Sequence, residues 1–214
     1  MERVKIFKVV LLGDPEVGKS AFIKRFSEGT FDEKYVRRAG VNFTPKTVSL
    51  SDGKEVSIHF WDILGTTRVI DQPSVYLRNT QGAIVMYDAN NPHGKAHVAE
   101  WKTILDTCVT TMDGQPHIPP AILVANKLDL VCQKSDEYDR EELYATRDQL
   151  NFAAAYPCSV AAGWNLNPII LALIAKMIEK SYAVPTVSIE SPNDEVFLTD
   201  DQVTDKTKKD CTLQ

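Results

Sequence analysis

The sequence predicts an α/β domain with a doubly wound, mostly parallel six-stranded sheet and helices on both faces. Apolar runs typical of strands alternate with amphipathic runs typical of helices along most of the chain. Two of the strand runs, residues 82–88 and 120–125, are short and continuously apolar, as in strands that are covered on both faces. Polar motifs directly follow several strands, and ligands of such sheets bind at the carboxyl ends of the strands. These three observations agree on one architecture.

The elements follow from local patterns in chain order. The first strand is an apolar run, and the helix after it ends before Gly29, a residue type that caps helices. Ser51-Asp52-Gly53 is a turn signal between two strand-like runs and predicts a hairpin. The last helix has core-facing apolar residues at helical spacing, namely Ile169, Ile170, Leu173, Ile174 and Met177. The predicted strands are 5–12, 41–50, 54–62, 82–88, 120–125 and 153–158, and the predicted helices are 19–28, 95–112, 139–151 and 166–182.

The C-terminal part of the chain differs in composition from the rest. The 214 residues carry a net charge of −5, and most of it lies in residues 190–214, which hold seven acidic residues and three lysines. After about Val184 the sequence is rich in Pro, Ser, Thr and acids. We therefore predict a folded domain over 1–184 and a flexible tail over 185–214. The charge pattern has no basic stripe, so a nucleic-acid partner is not expected.

Cysteine usage and hydropathy favour a cytosolic protein. The four cysteines form neither a C-x-x-C pair nor a zinc-binding spacing, as expected in a reducing compartment. Cys158 lies in an apolar segment and is expected to be a small core residue. No apolar run reaches the ~18 residues that a membrane-spanning helix needs.

The octet from Gly13 to Ser20 matches the phosphate-binding loop G-x-x-x-x-G-K-[ST], with a strand before it and a helix after it. Backbone N–H groups of such a loop and the positive end of the following helix dipole attract a polyphosphate. Gly13 and Gly18 allow a close backbone approach. Lys19 is expected to reach the β- and γ-phosphates as a catalytic group, and Ser20 to ligate Mg²⁺. The predicted nucleotide-binding residues here are Gly13, Asp14, Pro15, Glu16, Val17, Gly18, Lys19, Ser20 and Ala21.

A second motif, Asn126-Lys127-Leu128-Asp129, directly follows a predicted strand. The Asp129 carboxylate can accept hydrogen bonds from the N1–H and the 2-amino group of guanine, whereas adenine has no such pair of donors on that edge. Burying this carboxylate without its donors costs ~1–3 kcal/mol or more, so the wrong base is rejected. Lys127 can lie along the base plane, and Asn126 can tie this motif to the phosphate loop.

A phosphate loop about a hundred residues before an N-K-x-D motif resembles the small GTPase superfamily. The resemblance implies GTP and GDP as ligands, Mg²⁺ as cofactor and GTP hydrolysis as activity. Asp62-Ile63-Leu64-Gly65 resembles the D-x-x-G of these proteins, in which the aspartate holds Mg²⁺ through water and the glycine amide senses the γ-phosphate. Ser159-Val160-Ala161 aligns with their base-contacting S-A-K loop, with only the serine kept. Phe31 falls where family members stack an aromatic ring on the base, although a loop aromatic packing on the core is the alternative.

Within the superfamily the chain resembles Rab proteins over residues 5–182. Trp101-Lys102 and residues 112–116 look most like the Rab branch that serves lysosome-related organelles. The resemblance implies a monomer on the cytosolic face of endomembranes that recruits effectors through residues 36–45 and 64–80. An exchange factor and an activating protein are implied as further partners. The supporting segments are Ile6-Phe7-Lys8-Val9, Gly40-Val41-Asn42-Phe43, Trp61-Asp62-Ile63 and Tyr76 to Ala83.

Two departures from the family concern the chemistry of hydrolysis. Arg38 stands where family members place the threonine of the first switch, whose hydroxyl binds Mg²⁺. Arginine cannot ligate a cation, although it can pair with a phosphate oxygen. Ser20, phosphate oxygens and waters would then coordinate the metal, and Asp62 would hold it indirectly through water. Thr66 stands at the position of the glutamine that orients the attacking water, so we expect hydrolysis to be slower by orders of magnitude.

Pro15 and Glu16 occupy variable positions of the phosphate loop. Proline removes one N–H donor, and the glutamate adds a negative charge near the phosphates. At about 5 Å and an effective dielectric constant of about 20, this repulsion is of order 3 kcal/mol before screening. We therefore expect weaker nucleotide binding and faster exchange than the family norm.

The sequence ends in Cys211-Thr212-Leu213-Gln214, which matches the C-a-a-X prenylation signal with a terminal residue that suggests farnesyl. Lysines just upstream can meet anionic lipid, and a single lipid chain gives reversible membrane attachment. An incidental cysteine in a disordered tail is the alternative.

Three functional interpretations follow from these motifs. The first is a Rab-like switch in vesicle trafficking that hydrolyses GTP slowly or with a group supplied by a partner. The second is a scaffold that holds nucleotide without useful turnover, which Arg38 and Thr66 favour. The third, a metabolic P-loop kinase, would lack the N-K-x-D motif.

Overall fold

The computed structural model describes residues 4–32, 41–63, 73–132 and 138–181. Strands and helices alternate in these ranges except at one pair of consecutive strands and one pair of consecutive helices. The elements are β1 Lys5–Leu12, α1 Lys19–Glu28, β2 Val41–Ser49, β3 Glu55–Ile63, α2 Pro73–Leu77, β4 Gly82–Asp88, α3 Val98–Cys108, β5 Ala121–Asn126, α4 Leu128–Cys132, α5 Arg140–Gln149, β6 Ala154–Pro157 and α6 Leu166–Ser181.

The six strands form one sheet in the order β2-β3-β1-β4-β5-β6. Only β2 pairs antiparallel, in a hairpin with β3, and the other neighbours are parallel. The fold class predicted from the sequence is therefore confirmed. The hairpin turn is also where the turn signal placed it, because Gly53 has φ 78° and its N–H donates to the carbonyl of Leu50 at 3.0 Å.

Apolar side chains cover both faces of the sheet. On one face, Phe7, Val9 and Leu11 of β1 pack with α1 and α6. On the other face, Val10 and Leu12 pack with α3 and α5. The continuous apolar runs of the sequence thus belong to strands buried on both sides. The apolar residues predicted to face the core in the last helix are all buried there, and so is Cys158. No helix within the described ranges is long and apolar enough to cross a bilayer.

Several element ends differ from the predicted ones. The helix predicted over 95–112 is α3, which ends at Cys108 because Val109 is extended and Thr110 pairs with Pro116 in an isolated bridge. The helix α5 begins after Asp139, whose carboxylate accepts a hydrogen bond from the Glu142 N–H at 3.1 Å. The helices α2 and α4 were not predicted, since five residues are too few for a helical period to show.

Candidate nucleotide-binding site

The phosphate loop, residues 13–20, joins β1 to α1 and lies against the neighbouring strands. Gly13 and Gly18 both have positive φ, at 138° and 106°. A Cβ on Gly13 would lie 2.1 Å from the carbonyl oxygen of Met86, and one on Gly18 would lie 2.3 Å from Nδ2 of Asn126. Both positions therefore require glycine, for backbone conformation and for space.

Lys19 is buried inside this loop. Its side chain is 5% exposed, and its Nζ donates to the carbonyl oxygens of Gly13 and Asp14, both at 2.7 Å. Burial lowers the pKa of Lys19 to about 8, while the charges of Asp62 and Asp14 act in the opposite direction. An ammonium group with few solvent contacts and nearby acidic groups is well suited to pair with phosphate oxygens.

Ser20 and Asp62 come together from different elements. The Ser20 hydroxyl donates a hydrogen bond to Oδ2 of Asp62. Asp62 is 2% exposed and lies beside Leu11 in the register of β3 with β1, so the sheet carries its carboxylate to the phosphate loop. A hydroxyl and a carboxylate are hard oxygen groups of the kind that Mg²⁺ selects, directly or through water.

The two unusual residues of the phosphate loop lie at its surface. Pro15 and Glu16 are exposed, and Glu16 has φ 67°, a left-handed conformation that costs a non-glycine residue about 1 kcal/mol. The next residue, Val17, is buried in the core, and Ala21 in the first turn of α1 is half-buried against it. The loop thus turns from solvent back into the core within three residues.

Asn126 joins the phosphate loop to the loops that follow β5 and β6. Its Nδ2 donates to the carbonyl oxygen of Val17 at 2.8 Å, and its Oδ1 accepts from the Val160 N–H at 3.1 Å. Asn126 is 2% exposed, so both bonds are shielded from water. Removing this side chain would leave two buried backbone groups without partners.

The N-K-x-D segment and the Ser159–Ala161 segment are also linked directly. The Ser159 hydroxyl donates to Oδ1 of Asp129 at 2.6 Å and accepts from the Ala162 N–H at 3.0 Å. Lys127 has φ 66°, and its Nζ lies 2.8 Å from Oδ2 of Asp88. The sequence analysis did not single out Asp88, which pairs with Asn126 in the β4–β5 register and whose only sequence signal is its place at a strand end.

Phe31 is half-buried and packs against the core on the α1/α6 face of the sheet. This packing agrees with the alternative that it is a loop aromatic on the core. Four other predicted residues, Arg38, Gly65, Thr66 and Cys211, lie outside the described residues.

Asp14 has a contact that sequence reasoning missed. Its carboxylate accepts hydrogen bonds from Nδ1 of His97 at 2.8 Å and from Nε1 of Trp101 at 2.9 Å. The donors lie 83 and 87 residues away along the chain. The only sequence signal was their spacing of four residues at the start of one predicted helix.

The residues present fit a guanosine polyphosphate with Mg²⁺. The phosphate loop packs so closely against Met86 and Asn126 that neither glycine has room for a Cβ, and a buried ammonium group lies within the loop. Ser20 and Asp62 would hold the metal ion, which neutralises charge on phosphate oxygens when bound. Asp129 and the backbone of Ser159–Ala161 would face the base.

A phosphate loop between the first strand and the first helix, at the carboxyl edge of a doubly wound sheet, defines a P-loop nucleotide-binding protein. Comparisons with known proteins narrow this class. The model of the Ras family matches residues 8–179. The human Ras-related protein Rab-7L1 is 31% identical over 179 residues, which cover 84% of this chain and 86% of the relative. The Ras-related protein Rab-32B of Dictyostelium discoideum is 30% identical over 206 residues, which cover 96% of this chain and 77% of the relative.

The chain therefore belongs to the Ras family and is a Rab-like small GTPase. The resemblance found in its motifs is confirmed at this level. Ras-family proteins in general bind GTP and GDP with Mg²⁺, which agrees with the chemistry of the groups assembled at the site.

Proposed function

We propose that this protein is a Rab-like guanine-nucleotide switch in vesicle and membrane trafficking, which binds GTP or GDP with Mg²⁺ and hydrolyses GTP slowly. The observation that carries the proposal is the buried Asn126 side chain, which bonds to Val17 of the phosphate loop and to Val160 of the base-side loop. One residue thereby fixes the distance between a phosphate site and a base site. That arrangement suits a ligand that has both parts.

The slow turnover is inferred from two residues that depart from the family pattern. Thr66 would be too short to orient the attacking water, and Arg38 offers no oxygen to Mg²⁺. A scaffold that holds nucleotide without useful turnover is the second candidate, because the same two substitutions favour it. Both candidates need nucleotide binding and differ only in whether hydrolysis occurs.

Effector binding is proposed for residues 36–45 and 64–80. In the described part of these segments, Phe43 is 49% exposed, and its ring lies edge-on to His59 at 5.0 Å and to Trp61 at 6.1 Å between centroids. An exposed aromatic side chain held by its neighbours offers apolar area at little entropic cost, as protein-binding surfaces do. An exchange factor and an activating protein would use the same region.

We place the protein on the cytosolic face of endomembranes, with a folded domain over 1–184 and a tail over 185–214 that carries a prenylated Cys211. The organelle branch remains a prediction from sequence resemblance. A mass spectrum of the protein from eukaryotic cells tests the lipid directly. An unmodified Cys211 would remove the membrane part of the proposal and leave nucleotide binding intact.

The central experiment identifies the nucleotide that co-purifies with the protein and follows single-turnover hydrolysis of loaded GTP. We expect bound guanine nucleotide and slow hydrolysis in the wild type, and hydrolysis at least roughly tenfold faster in Thr66→Gln. Thr110→Gln is the control for a generic effect of a threonine-to-glutamine change, because Thr110 lies in the isolated bridge with Pro116 and has no predicted role in the site.

The outcomes separate the candidates. Slow hydrolysis that Thr66→Gln accelerates supports the switch, and no hydrolysis in either protein supports the scaffold. Rapid hydrolysis by the wild-type protein without any partner would refute the proposal that Thr66 slows the reaction. No uptake of GDP or GTP by stripped, Mg²⁺-supplied protein in calorimetry would refute both candidates.

A further inference from the structure

We propose that His97 and Trp101 are positioning residues of the phosphate loop, which hold it to the start of α3 through the carboxylate of Asp14. The inference rests on the proposed function, because the loop acts by retaining nucleotide. We call the three side chains the α3 anchor.

The α3 anchor engages both oxygens of one carboxylate. Trp101 Nε1 donates to Oδ1 of Asp14 at 2.9 Å, and His97 Nδ1 donates to Oδ2 at 2.8 Å. An ionised carboxylate has no proton to give, so the imidazole must donate. Hydrogen bonds to a charged acceptor are about twice as strong as neutral ones.

The fold places the two donors differently, because Trp101 is buried and the His97 side chain is 59% exposed. Trp101 is buried in the core on the α3/α5 face. Its backbone N–H donates to the carbonyl oxygen of His97 at 3.0 Å, in the first turn of α3. The two residues are four positions apart and therefore lie on the same side of the helix start. The N-terminal end of a helix is also where a negative charge is stabilised.

The same residue, Asp14, is held from its backbone by Lys19. The Lys19 Nζ donates to the Asp14 carbonyl oxygen at 2.7 Å, while the carboxylate points to α3. The orientation of Asp14 thus depends on Lys19, which binds its backbone carbonyl, and on His97 and Trp101, which bind its carboxylate. Without the anchor, Asp14 would add a free negative charge to a loop that must hold phosphates.

The titration of His97 adds a second readout. The hydrogen bond to Asp14 and its charge raise the pKa of His97, and Glu100 on α3 acts in the same direction. The imidazolium form, with the stronger bond to Asp14, is therefore favoured as the pH falls. The anchor should be tightest at low pH and weaken as the pH rises through the pKa of His97.

The test measures dissociation of fluorescent GDP from the full-length protein. Trp101→Phe keeps the ring in the core and removes the donor, and we expect dissociation roughly three- to tenfold faster. His97→Ala should accelerate it by a smaller factor, and His97→Gln, which keeps a donor, should restore part of the loss. His93→Ala, at an exposed histidine four residues earlier, is the matched control and should not change the rate.

A double-mutant cycle with Asp14→Ala separates positioning from core packing. If Trp101 acts through Asp14, Trp101→Phe should have no further effect in the Asp14→Ala background. From pH 6 to pH 8 the wild-type rate should rise, and the rise should be smaller in His97→Ala, which lacks the titrating imidazole.

Each result decides the matter. An unchanged rate in Trp101→Phe, or the same acceleration with and without Asp14, would overturn the inference while GDP binding by the wild type upholds the proposed function. No GDP uptake by the wild type would overturn both. NMR titration of His97 in nucleotide-free protein then still reports the contact itself, since its pKa should fall in Asp14→Ala.

Discussion

The base end and the phosphate end of the site are built differently. At the base end, Asn126 and Ser159 are buried; Asn126 bonds to two other segments, and Ser159 bonds to Asp129 and to its own loop. At the phosphate end, Lys19 is buried, but Pro15 and Glu16 are exposed. Side chains that bridge strand ends therefore fix the base end, whereas part of the phosphate end lies at the surface.

The residues that depart from the family pattern follow the same division. Pro15 and Glu16 lie in the phosphate loop, and the family resemblance assigns Arg38 and Thr66, which lie outside the described residues, to phosphate chemistry as well. At the base end the departures are Val160 and Ala161, in a segment that the family uses through its backbone. We therefore expect base choice to be independent of phosphate chemistry in this protein, with guanine selection normal even if Thr66 slows turnover.

The largest expected effect is at the base end. Asp129→Asn replaces one acceptor oxygen by a donor, while the remaining oxygen can still accept from Ser159 Oγ. We expect GDP affinity to fall by roughly a hundredfold or more, because a buried polar group is left opposite the guanine 2-amino group. Titration calorimetry measures it, with Asp113→Asn in an exposed turn as the control.

The same variant can sharpen the comparison with a second ligand. Xanthosine diphosphate has a carbonyl in place of the 2-amino group, so an asparagine can match it with one donor and one acceptor. Asp129→Asn should therefore prefer the xanthosine form. Undiminished binding of GDP would show that Asp129 does not read the base.

A smaller effect is expected at Glu16. The repulsion of order 3 kcal/mol applies before solvent screening. The Glu16 side chain is exposed, and exposed charge pairs are worth about 0–1 kcal/mol. We therefore expect Glu16→Gln to slow GDP dissociation by only about twofold to fivefold at low salt. Stopped-flow with fluorescent GDP measures it, with Glu28→Gln at the end of α1 as the control.

A third variant separates charge from backbone strain at this position. Glu16→Gly removes the charge and also relieves the left-handed conformation at φ 67°. If its effect equals that of Glu16→Gln, charge alone weakens retention. If neither substitution changes the rate of GDP dissociation, Glu16 does not weaken nucleotide retention. The difference between the two ends would then depend on Arg38 and Thr66.

The sequence was sufficient for the features that local residue types determine. The phosphate loop needs its glycines and Lys19 in a fixed spacing, and the N-K-x-D motif needs its polar groups at a strand end. The link from Asn126 to Val17 spans 109 residues, and the sequence analysis expected a tie between the two motifs without identifying Val17 as the partner. The salt bridge of Asp88 with Lys127 depends on the β4–β5 register, which no local pattern encodes.

The contacts of Asp14 show why the rest was not predictable. His97 and Trp101 fell inside a predicted helix, and the sequence analysis named Trp101 only for its resemblance to one Rab branch. Their donors reach Asp14 because the strands β1 and β4 are neighbours, which brings the start of α3 to the phosphate loop. The end of α3 was placed too late for a similar reason, since Thr110 leaves the helix to pair with Pro116.

The smallest expected effect is a change in stability at Lys8, which holds residues 76–78 against β1. Lys8 Nζ donates to the carbonyl oxygens of Tyr76 at 2.7 Å and Arg78 at 2.8 Å, and it lies 4.1 Å from the centroid of the Trp61 ring. Burial lowers the pKa of Lys8 to about 8. Between about pH 8 and 10.5 the unfolded chain therefore binds more protons at Lys8 than the folded protein does. The contribution of Lys8 to the free energy of unfolding consequently increases as the pH rises through this range.

Lys8→Met removes this titration and keeps an unbranched side chain. The free energy of unfolding of the wild type minus that of Lys8→Met should increase from pH 7.5 to pH 10, by less than about 1 kcal/mol because Lys8 is only half-buried. Urea denaturation at a series of pH values measures it, and Lys19, whose pKa is also lowered, cancels in the difference. A difference that is constant or falls with pH would show that Lys8 stays charged in the folded protein at every pH tested. The ammonium group would then donate to the carbonyl oxygens of Tyr76 and Arg78 throughout this range.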